Sequence, residues 1–308
     1  MPAMNDAPFV PRDVLEKPDQ INTTKPDLSH ANTDTPALGL PGEDGRIVTV
    51  LKSAGGCGAS VVATNLAGEF CRQTNEAVAL IDLDIQFGNL GFYLDIRPRH
   101  TLLDALQAGK RFDETFLKSL MEVHETGIHV LSAPRHMVPL DQIDEGFILK
   151  LIRLLKKTYP VSVIELSAGW AHWFGVVFSQ SDEIVVVCEP TVRGASGLAR
   201  VLQSLQDMMF DDISLNVVAN KVQKYGESRR CVDQMQGTVL KPIQSIGFDE
   251  KSVEKAISAG MLLSQAAKRS IPYRDMQQIA GQLLKQINPP GEAELNSRKA
   301  LVQPVPRG

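Results

Sequence analysis

Short apolar runs alternate with longer segments of helical period through most of this chain, and this alternation restricts the fold more than any other feature. The strands predicted from it cover residues 47–51, 77–82, 128–131, 161–166, 184–188, 215–220 and 243–247. Several of these runs are apolar throughout, as strands must be when helices cover both faces of a parallel sheet. The pattern therefore indicates a buried, mostly parallel sheet.

The segments of helical period lie between these strands. Helices are predicted over residues 60–72, 147–158, 194–209 and 273–287. In the second of them the apolar residues share one face, and the lysines and the arginine lie elsewhere. Strands that alternate with helices over roughly 240 residues predict one doubly wound α/β domain, with a mostly parallel sheet flanked by helices.

The two ends of the chain depart from this pattern. Seven of the 18 prolines fall in the first 41 residues, among Asn, Thr, Asp and Lys with little apolar periodicity. Such a segment buries too little apolar surface to offset the entropy lost on ordering. We therefore predict a disordered arm over residues 1–45, the α/β domain over 46–288 and a flexible tail over 289–308. The arm is either a linker or a tether for a partner.

Composition excludes several classes of protein. The 32 Lys and Arg residues against 36 Asp and Glu give a net charge of −4, which removes the electrostatic case for a general nucleic-acid binder. No stretch without charged residues is longer than 166–181, which is shorter than the roughly 20 residues that a membrane span needs. Because no signal peptide, zinc spacing or disulfide framework is visible, we expect a cytoplasmic protein with reduced thiols.

A glycine-rich turn follows the first predicted strand. Residues 52–60 read Lys-Ser-Ala-Gly-Gly-Cys-Gly-Ala-Ser, and a predicted helix follows. Such a turn lets backbone N–H groups converge on phosphate oxygens at a helix N-terminus. The pattern G-x-x-x-x-G-K-[ST] aligns Gly58 with the second glycine, Ala59 with the lysine and Ser60 with the magnesium-binding hydroxyl. The turn is a candidate phosphate loop without its lysine; a plain strand-to-helix turn is the alternative.

The missing lysine matters because it would hold a positive charge against the β- and γ-phosphates, both in the ground state and during transfer. Lys52, at the end of the preceding strand, either reaches back toward the loop or remains a solvated side chain. The chain has no G-x-G-x-x-G turn after its first strand, so a dinucleotide-binding protein is disfavoured.

Acidic residues follow two of the predicted strands. Asp82 and Asp84 lie on one side of the chain at the carboxyl edge of the sheet, where α/β folds present their ligand site. One carboxylate could order magnesium and the other a water molecule, or the pair could cap a turn. Glu165, followed by Gly169, resembles the second magnesium element of P-loop NTPases, where aspartate is usual. Its extra methylene moves the carboxylate by roughly 1.5 Å, which disturbs a water-mediated magnesium contact without forbidding it.

Together these residues resemble the ParA/MinD class of P-loop proteins, and within it the TadZ/CpaE group associated with Tad-type pilus assembly. The resemblance covers nearly all of residues 46–287. Residues 55–60 fit the G-G-x-G-A-[ST] loop of that group, and Ala54 stands where the class has its signature lysine. The most specific stretch, residues 82–89, reads D-L-D-I-Q-F-G-N and is very similar to the D-x-D-x-Q-F-G-D of the group.

Further similarities follow in the same order along the chain. Residues 93–104 resemble the Y-L-D and P-R-H-T-L-x-D motifs of the group, and residues 127–134 resemble G-L-x-V-L-x-A-P. Residues 165–169 read E-L-S-A-G and occupy the position of the D-T-P-P-G motif, with both prolines absent. Residues 246–260 resemble I-P-x-D-x-x-x-V-x-x-A-x-x-x-G, with Phe248 in place of the proline.

The resemblance implies ATP and magnesium as ligands and gives individual residues a role. The phosphate loop would consist of Gly55, Gly56, Cys57, Gly58, Ala59 and Ser60. Asp84 would position the attacking water, and Asn220 would contact adenine. Magnesium would be held by Ser60, Asp82 and Glu165.

The resemblance also implies a cellular role. Because Ala54 and Ala59 remove both loop lysines, we expect weakened nucleotide binding and little or no ATP hydrolysis. The implied function is a localisation or scaffold factor for Tad-type pilus assembly. An active ParA/MinD-type ATPase that positions a cell-surface machine or cargo is the alternative. Implied partners are a second copy of the chain and pilus assembly proteins, at a cell pole or the inner-membrane face of the machine.

Three further segments have two interpretations each. Residues 170–174 carry both tryptophans and predict either a protein interface or a buried helix. Four cations within residues 221–230 are either a solvated cluster or a non-specific nucleic-acid contact. The apolar face of the predicted helix 273–287 favours packing on the domain, so that membrane contact is at most peripheral.

Overall fold

The buried strands lie side by side in a single sheet in the computed structural model, which describes residues 45–208 and 214–288. The strands are β1 (Arg46–Lys52), β2 (Val78–Leu83), β3 (Glu122–Val123), β4 (Ile128–Leu131), β5 (Val161–Leu166), β6 (Glu183–Cys188), β7 (Leu215–Val222) and β8 (Gln244–Gly247). Their order across the sheet is β3-β4-β2-β5-β1-β6-β7-β8. Every neighbouring pair is parallel except β3 and β4, which are antiparallel.

Helices pack on both faces of this sheet. They are α1 (Ala59–Thr74), α2 (Leu90–Tyr93), α3 (Leu102–Ala108), α4 (Glu114–Leu120), α5 (Glu145–Thr158), α6 (Phe174–Gln180), α7 (Val192–Asp207), α8 (Glu227–Gln236), α9 (Glu250–Ser258), α10 (Leu263–Ala266) and α11 (Ile271–Ile287). Alternate residues of β1 face opposite cores: Ile47 belongs to the core that contains α5, α6 and α7, and Val48 to the core that contains α1 and α11. The sheet is therefore covered on both sides.

The predicted doubly wound fold with a mostly parallel sheet is confirmed. All seven predicted strands are present, with ends within two residues of the predicted ones. The four predicted helices correspond to α1, α5, α7 and α11, although residue 209, the predicted end of the third, lies outside the described residues. The prediction missed β3, which has two residues, and seven helices of four to ten residues. Such elements span too few periods to produce a repeating apolar pattern.

One missed helix carries a local signal. Thr101 precedes α3, and its hydroxyl accepts a hydrogen bond from the backbone N–H of Leu103. The Asp104 carboxylate accepts the backbone N–H of Thr101 in return, at 2.7 Å. This reciprocal arrangement is a capping box, with aspartate in the place of the usual glutamate. The Thr-x-x-Asp spacing therefore predicts the start of α3.

The predicted arm and tail, residues 1–45 and 289–308, lie outside the described residues except for Gly45. Gly45 is buried, and its backbone N–H donates to the Lys156 carbonyl at 2.7 Å. Gly45 thus packs with the domain, one residue before the predicted boundary.

The segment with both tryptophans leads into α6, which begins at Phe174, directly after Trp173. Trp173 and Phe174 are fully buried, and their ring centroids lie 4.8 Å apart. Trp170 is partly buried and contacts the Phe174 and Phe178 rings, whereas His172 is exposed. The predicted burial is therefore confirmed for Trp173 and Phe174, although only Phe174 lies in a helix. The interface interpretation is wrong for these two residues, because rings this deeply packed cannot meet a partner.

The apolar face of α11 is part of the core. The helix packs on α1 and β8 through the buried residues Met276, Ile279, Ala280, Leu283 and Ile287. This confirms the packing that the sequence favours. Within residues 45–208 and 214–288, no helix has the length and apolar character needed to cross a membrane.

The packing of α11 can be tested with a matched pair of leucines. Leu283 is fully buried and Leu284 only partly so. We expect Leu283→Ala to lower the free energy of unfolding by about 3 kcal/mol, because it leaves a cavity against α1. Leu284→Ala should cost about 1 kcal/mol. Urea denaturation measures both, and equal losses would contradict this packing.

Candidate phosphate-binding site

The strand order brings three acidic or basic positions to one edge of the sheet. β5 lies between β1 and β2, with Glu165 beside Val50 on one side and beside Asp82 on the other. Because all three strands are parallel, their carboxyl ends meet at the same edge. Lys52 ends β1 at this edge, and the loop between β1 and α1 rises above it. A pocket of about 560 Å³ opens here, lined by Lys52 and by residues 56–60 among others.

The loop has the backbone geometry of an anion cradle. Gly56 and Gly58 have positive φ angles of 83° and 85°, which side-chain-bearing residues rarely adopt. Gly58 directly precedes α1, whose first turn contains no acidic residue to repel an anion. In the described part of the chain, no backbone carbonyl accepts the N–H groups of Gly55, Gly56 or Gly58. These N–H groups are therefore free of backbone partners and can bind a phosphate oxygen.

Side chains from β7 and α7 donate hydrogen bonds to the carbonyls of the loop. The Asn220 amide donates to the Cys57 carbonyl at 2.8 Å, and the Lys221 ammonium donates to the Gly56 carbonyl at 2.7 Å. Arg193 donates to the Gly55 carbonyl at 3.3 Å. These three hydrogen bonds hold the backbone of the loop in place.

These contacts bear on two sequence predictions. The Asn220 amide, expected at adenine, here holds the loop, and its oxygen also accepts the Lys221 backbone N–H at 2.9 Å. Lys221 is not a fully solvated cation, because it also lies 3.5 Å from the Glu189 carboxylate. Sequence reasoning missed Lys221 and Arg193 as loop-holding residues, since these contacts join positions 165 and 138 residues apart.

Beneath the loop, Lys52 lies between two acids. Its ammonium nitrogen is 2.7 Å from Asp84 Oδ2 and 3.0 Å from Glu165 Oε1. The Ser60 hydroxyl donates to the same Glu165 oxygen at 2.6 Å. The side chains of Lys52, Asp84 and Glu165 are 13%, 6% and 0% exposed. Of the two interpretations of Lys52, the solvated side chain is wrong; its ammonium contacts the two acids.

Burial and charge act against each other in this cluster. Burial alone would lower the pKa of the Lys52 ammonium, but the carboxylates of Glu165 and Asp84 raise this pKa above its ordinary value. The side chain is therefore charged at neutral pH. Burial raises the pKa of Glu165, against the opposing effects of Lys52 and Ser60. The ammonium is thus the positive charge that permits these acids to be buried.

Asp82 has a different role from its neighbours. One of its carboxylate oxygens accepts the backbone N–H of Asp84 at 3.2 Å, and the other accepts that of Leu90 at 3.0 Å. A Cβ atom at Gly88 would collide with this carboxylate. Burial and the nearby Glu165 carboxylate raise the pKa of Asp82. Asp82 therefore caps the turn that follows β2, the second of the two roles its position allows.

The predicted magnesium ligands do not fit a resident metal ion while Lys52 holds its position. The Ser60 hydroxyl proton is donated to Glu165, both oxygens of Asp82 bind backbone N–H groups, and an ammonium contacts Glu165. Asp84 Oδ1 and Glu165 Oε2 are buried without a described partner. A divalent cation bound to these oxygens would lie close to the Lys52 ammonium, and the two positive charges would repel each other.

The described chain as a whole offers no cluster of metal ligands either. Among residues 45–208 and 214–288, no group of three or more His, Cys, Asp or Glu side chains could hold a metal ion. The structure thus brings together Lys52, Ser60, Asp84 and Glu165, and it ties Asp82 and Asn220 to backbone groups. This arrangement suits the binding of an anion by backbone N–H groups beside a buried lysine.

No family model matches the chain, but individual proteins do. The septum site-determining protein MinD of Thermotoga maritima is 24% identical over 226 residues, which cover 71% of this chain and 81% of MinD. The antiactivator FleN of Pseudomonas aeruginosa is 22% identical over 276 residues, which cover 84% of this chain and 95% of FleN. Both alignments span most of either partner, so the similarity extends across the domain.

Solved structures give the same class. A ParA family ATPase from Chlorobium tepidum has a TM-score of 0.71 at 19% identity, with 78% of this chain and 99% of that chain covered. MinD from Pyrococcus horikoshii, complexed with Mg-ADP, has a TM-score of 0.65 at 19% identity, with 79% and 97% covered. The chain therefore has the fold of ParA/MinD-type P-loop NTPases. Its sequence is also similar to those of MinD and FleN over most of the length of each.

The loop geometry predicts different tolerances at two of its glycines. Gly58 has a φ of 85°, which strains any other residue, and a Cβ atom there would collide with the Asn220 amide. A Cβ atom at Gly55 would have Arg193, at 3.7 Å, as its nearest neighbour. We expect Gly58→Ala to lower the free energy of unfolding by about 2 kcal/mol and Gly55→Ala by less than about 0.5 kcal/mol. Chemical denaturation of the two variants tests this difference, and equal stabilities would exclude the described loop.

Proposed function

We propose that this chain is a ParA/MinD-like localisation or scaffold factor for Tad-type pilus assembly that binds ATP and hydrolyses it very slowly or not at all. The observation that carries the proposal is the ion pair between Lys52 and Asp84, with a distance of 2.7 Å. It engages the carboxylate that would otherwise position an attacking water. The loop meanwhile has alanine at both of its lysine positions.

Three features support ATP as the ligand. The pocket of about 560 Å³ lies at the N-terminus of α1, where the helix dipole and the loop N–H groups favour a phosphate. Asn220 and Lys221 line the pocket beside the loop. The similar MinD structure from Pyrococcus horikoshii is a complex with Mg-ADP. We therefore propose a nucleotide with its phosphates at residues 55–60.

Slow hydrolysis follows from the charges near the loop. Phosphoryl transfer depends on cations that stabilise the developing charge, and each such donor contributes orders of magnitude in rate. Ala54 and Ala59 supply none. Of the nearby cations, Lys221 and Arg193 bind loop carbonyls, and Lys52 binds Asp84 and Glu165. The pocket thus favours binding over turnover.

The pilus role rests on the sequence motifs. Residues 82–89 and 93–104 resemble the TadZ/CpaE group closely. The relatives MinD and FleN are named for septum-site determination and antiactivation, so the fold itself serves more than one cellular role. We propose a homodimer that contacts pilus assembly proteins in the cytoplasm, at a cell pole or at the inner-membrane face of the machine.

An active positioning ATPase is the second candidate, and one observation favours it. Lys52 lines the phosphate pocket, so its ammonium could meet a bound triphosphate in place of the absent loop lysine. In that case Lys52 would leave Asp84 upon nucleotide binding, and Asp84 would be released to position a water. The two candidates differ in turnover.

Turnover by the purified full-length chain distinguishes them. We expect a fluorescent ATP analogue to bind, and phosphate release to be at least about a hundredfold slower than that of Thermotoga maritima MinD assayed in parallel. Asp84→Asn should not slow the residual release further, because Asp84 is already engaged. Gly55→Ala is the control for a change near the pocket that leaves the loop backbone and the Asp84 ion pair in place. A rate equal to that of MinD, abolished by Asp84→Asn, would establish the second candidate instead.

The cellular role is tested by removing the gene from the source organism. We expect cells without the protein to lose Tad-type pili while dividing normally. Complementation with the wild type, and equally with Asp84→Asn, should restore the pili, because the proposed scaffold does not depend on hydrolysis. Electron microscopy counts the pili. Normal piliation together with misplaced septa would contradict the proposed role.

A further inference from the structure

We propose that the ammonium of Lys52 is the resident cation of this site and takes the place of a divalent metal ion, so that the pocket binds its nucleotide without Mg²⁺. The second half of this statement rests on the nucleotide binding proposed above. The first half concerns the protein alone and can be tested without any nucleotide.

The positions of the contacts carry the inference. The Lys52 ammonium, the Ser60 hydroxyl and the Glu165 carboxylate meet at one oxygen, Glu165 Oε1, with distances of 3.0 Å and 2.6 Å to the nitrogen and the hydroxyl. Ser60 and the acid of β5 are the two elements that would hold magnesium in a P-loop site. Here they hold each other and a lysine. The Lys52 ammonium therefore lies beside the two residues that would hold the metal ion.

The ammonium can also serve the ligand. An ammonium group has three protons to donate, and Asp84 and Glu165 account for two of them. Lys52 lines the pocket together with Gly56, Gly58 and Ser60. Its third N–H group can therefore donate a hydrogen bond to a phosphate oxygen while the other two remain bonded to the acids. Mg²⁺ would otherwise supply both of these effects.

The residue at position 59 agrees with this arrangement. In the usual pattern, the lysine at this position brings an ammonium to the same phosphates from the start of α1. A second ammonium beside Lys52 would repel the first. Ala59 is buried and removes that conflict. The loss of a cation at Ala59 and the presence of one at Lys52 thus belong to a single rearrangement of the site.

The first experiment uses the metal alone. Thermal unfolding of the full chain is measured in EDTA and in millimolar MgCl₂, without nucleotide. We expect the wild type to shift by less than about 1 °C. Lys52→Met should rise by about 3 °C or more on adding Mg²⁺, because the metal can then reach Asp84 and Glu165. Lys285→Met, which removes an exposed lysine of α11, should behave as the wild type.

A clear rise of the wild type with Mg²⁺, equal to that of Lys52→Met, would overturn the proposal. Should Lys52→Met fail to fold, Mn²⁺ binding to the wild type by electron paramagnetic resonance decides the question. We expect no bound Mn²⁺ at millimolar metal. Stoichiometric binding that Asp84→Asn abolishes would overturn the inference.

The second experiment measures the affinity of the wild type for a fluorescent ATP analogue in EDTA and in MgCl₂. We expect the two dissociation constants to agree within about threefold. A gain of tenfold or more with Mg²⁺ would overturn the second half of the proposal. If no nucleotide binds in either buffer, the proposed function fails together with this half, whereas the metal experiment still decides the role of Lys52.

Discussion

The ion pairs of Lys52 are the interaction on which the rest of the site depends. Three ionisable side chains lie almost out of contact with water, and such groups are tolerated there only when they are paired. The ammonium joins the end of β1 to Glu165 of β5 and to Asp84 after β2, and Ser60 extends the cluster to the first turn of α1. One positive charge thus fixes the relative positions of two strands, a turn and a helix.

Much of the fold could be predicted because it rests on local periodicity. β2, β5 and β6 are buried along their whole length, so their apolar runs are visible without a partner. The edge strand β3 was missed because its two residues are defined by pairing with β4. Short helices such as α6 escape for a related reason: their burial depends on packing against α5 and β1, which the local pattern does not show.

The site was predictable in composition but not in contacts. The sequence identifies the loop, the acids and Lys52 as candidates, since each follows a recognisable strand. Whether Lys52 meets solvent or acid depends on β5 lying next to β1, a neighbour more than a hundred residues later in the chain. The same holds for Lys221 and Arg193, whose partners are loop carbonyls. These contacts depend on the order of the strands in the sheet. That order cannot be predicted from the spacing of residues along the chain.

The bonds from Asn220 and Lys221 to the loop have a mechanical consequence. They tie the carbonyls of Cys57 and Gly56 to the end of β7, next to the edge strand β8. Any movement of the loop must either break both bonds or carry the end of β7 with it. The phosphate loop and the β8 margin of the sheet are therefore mechanically linked through the end of β7.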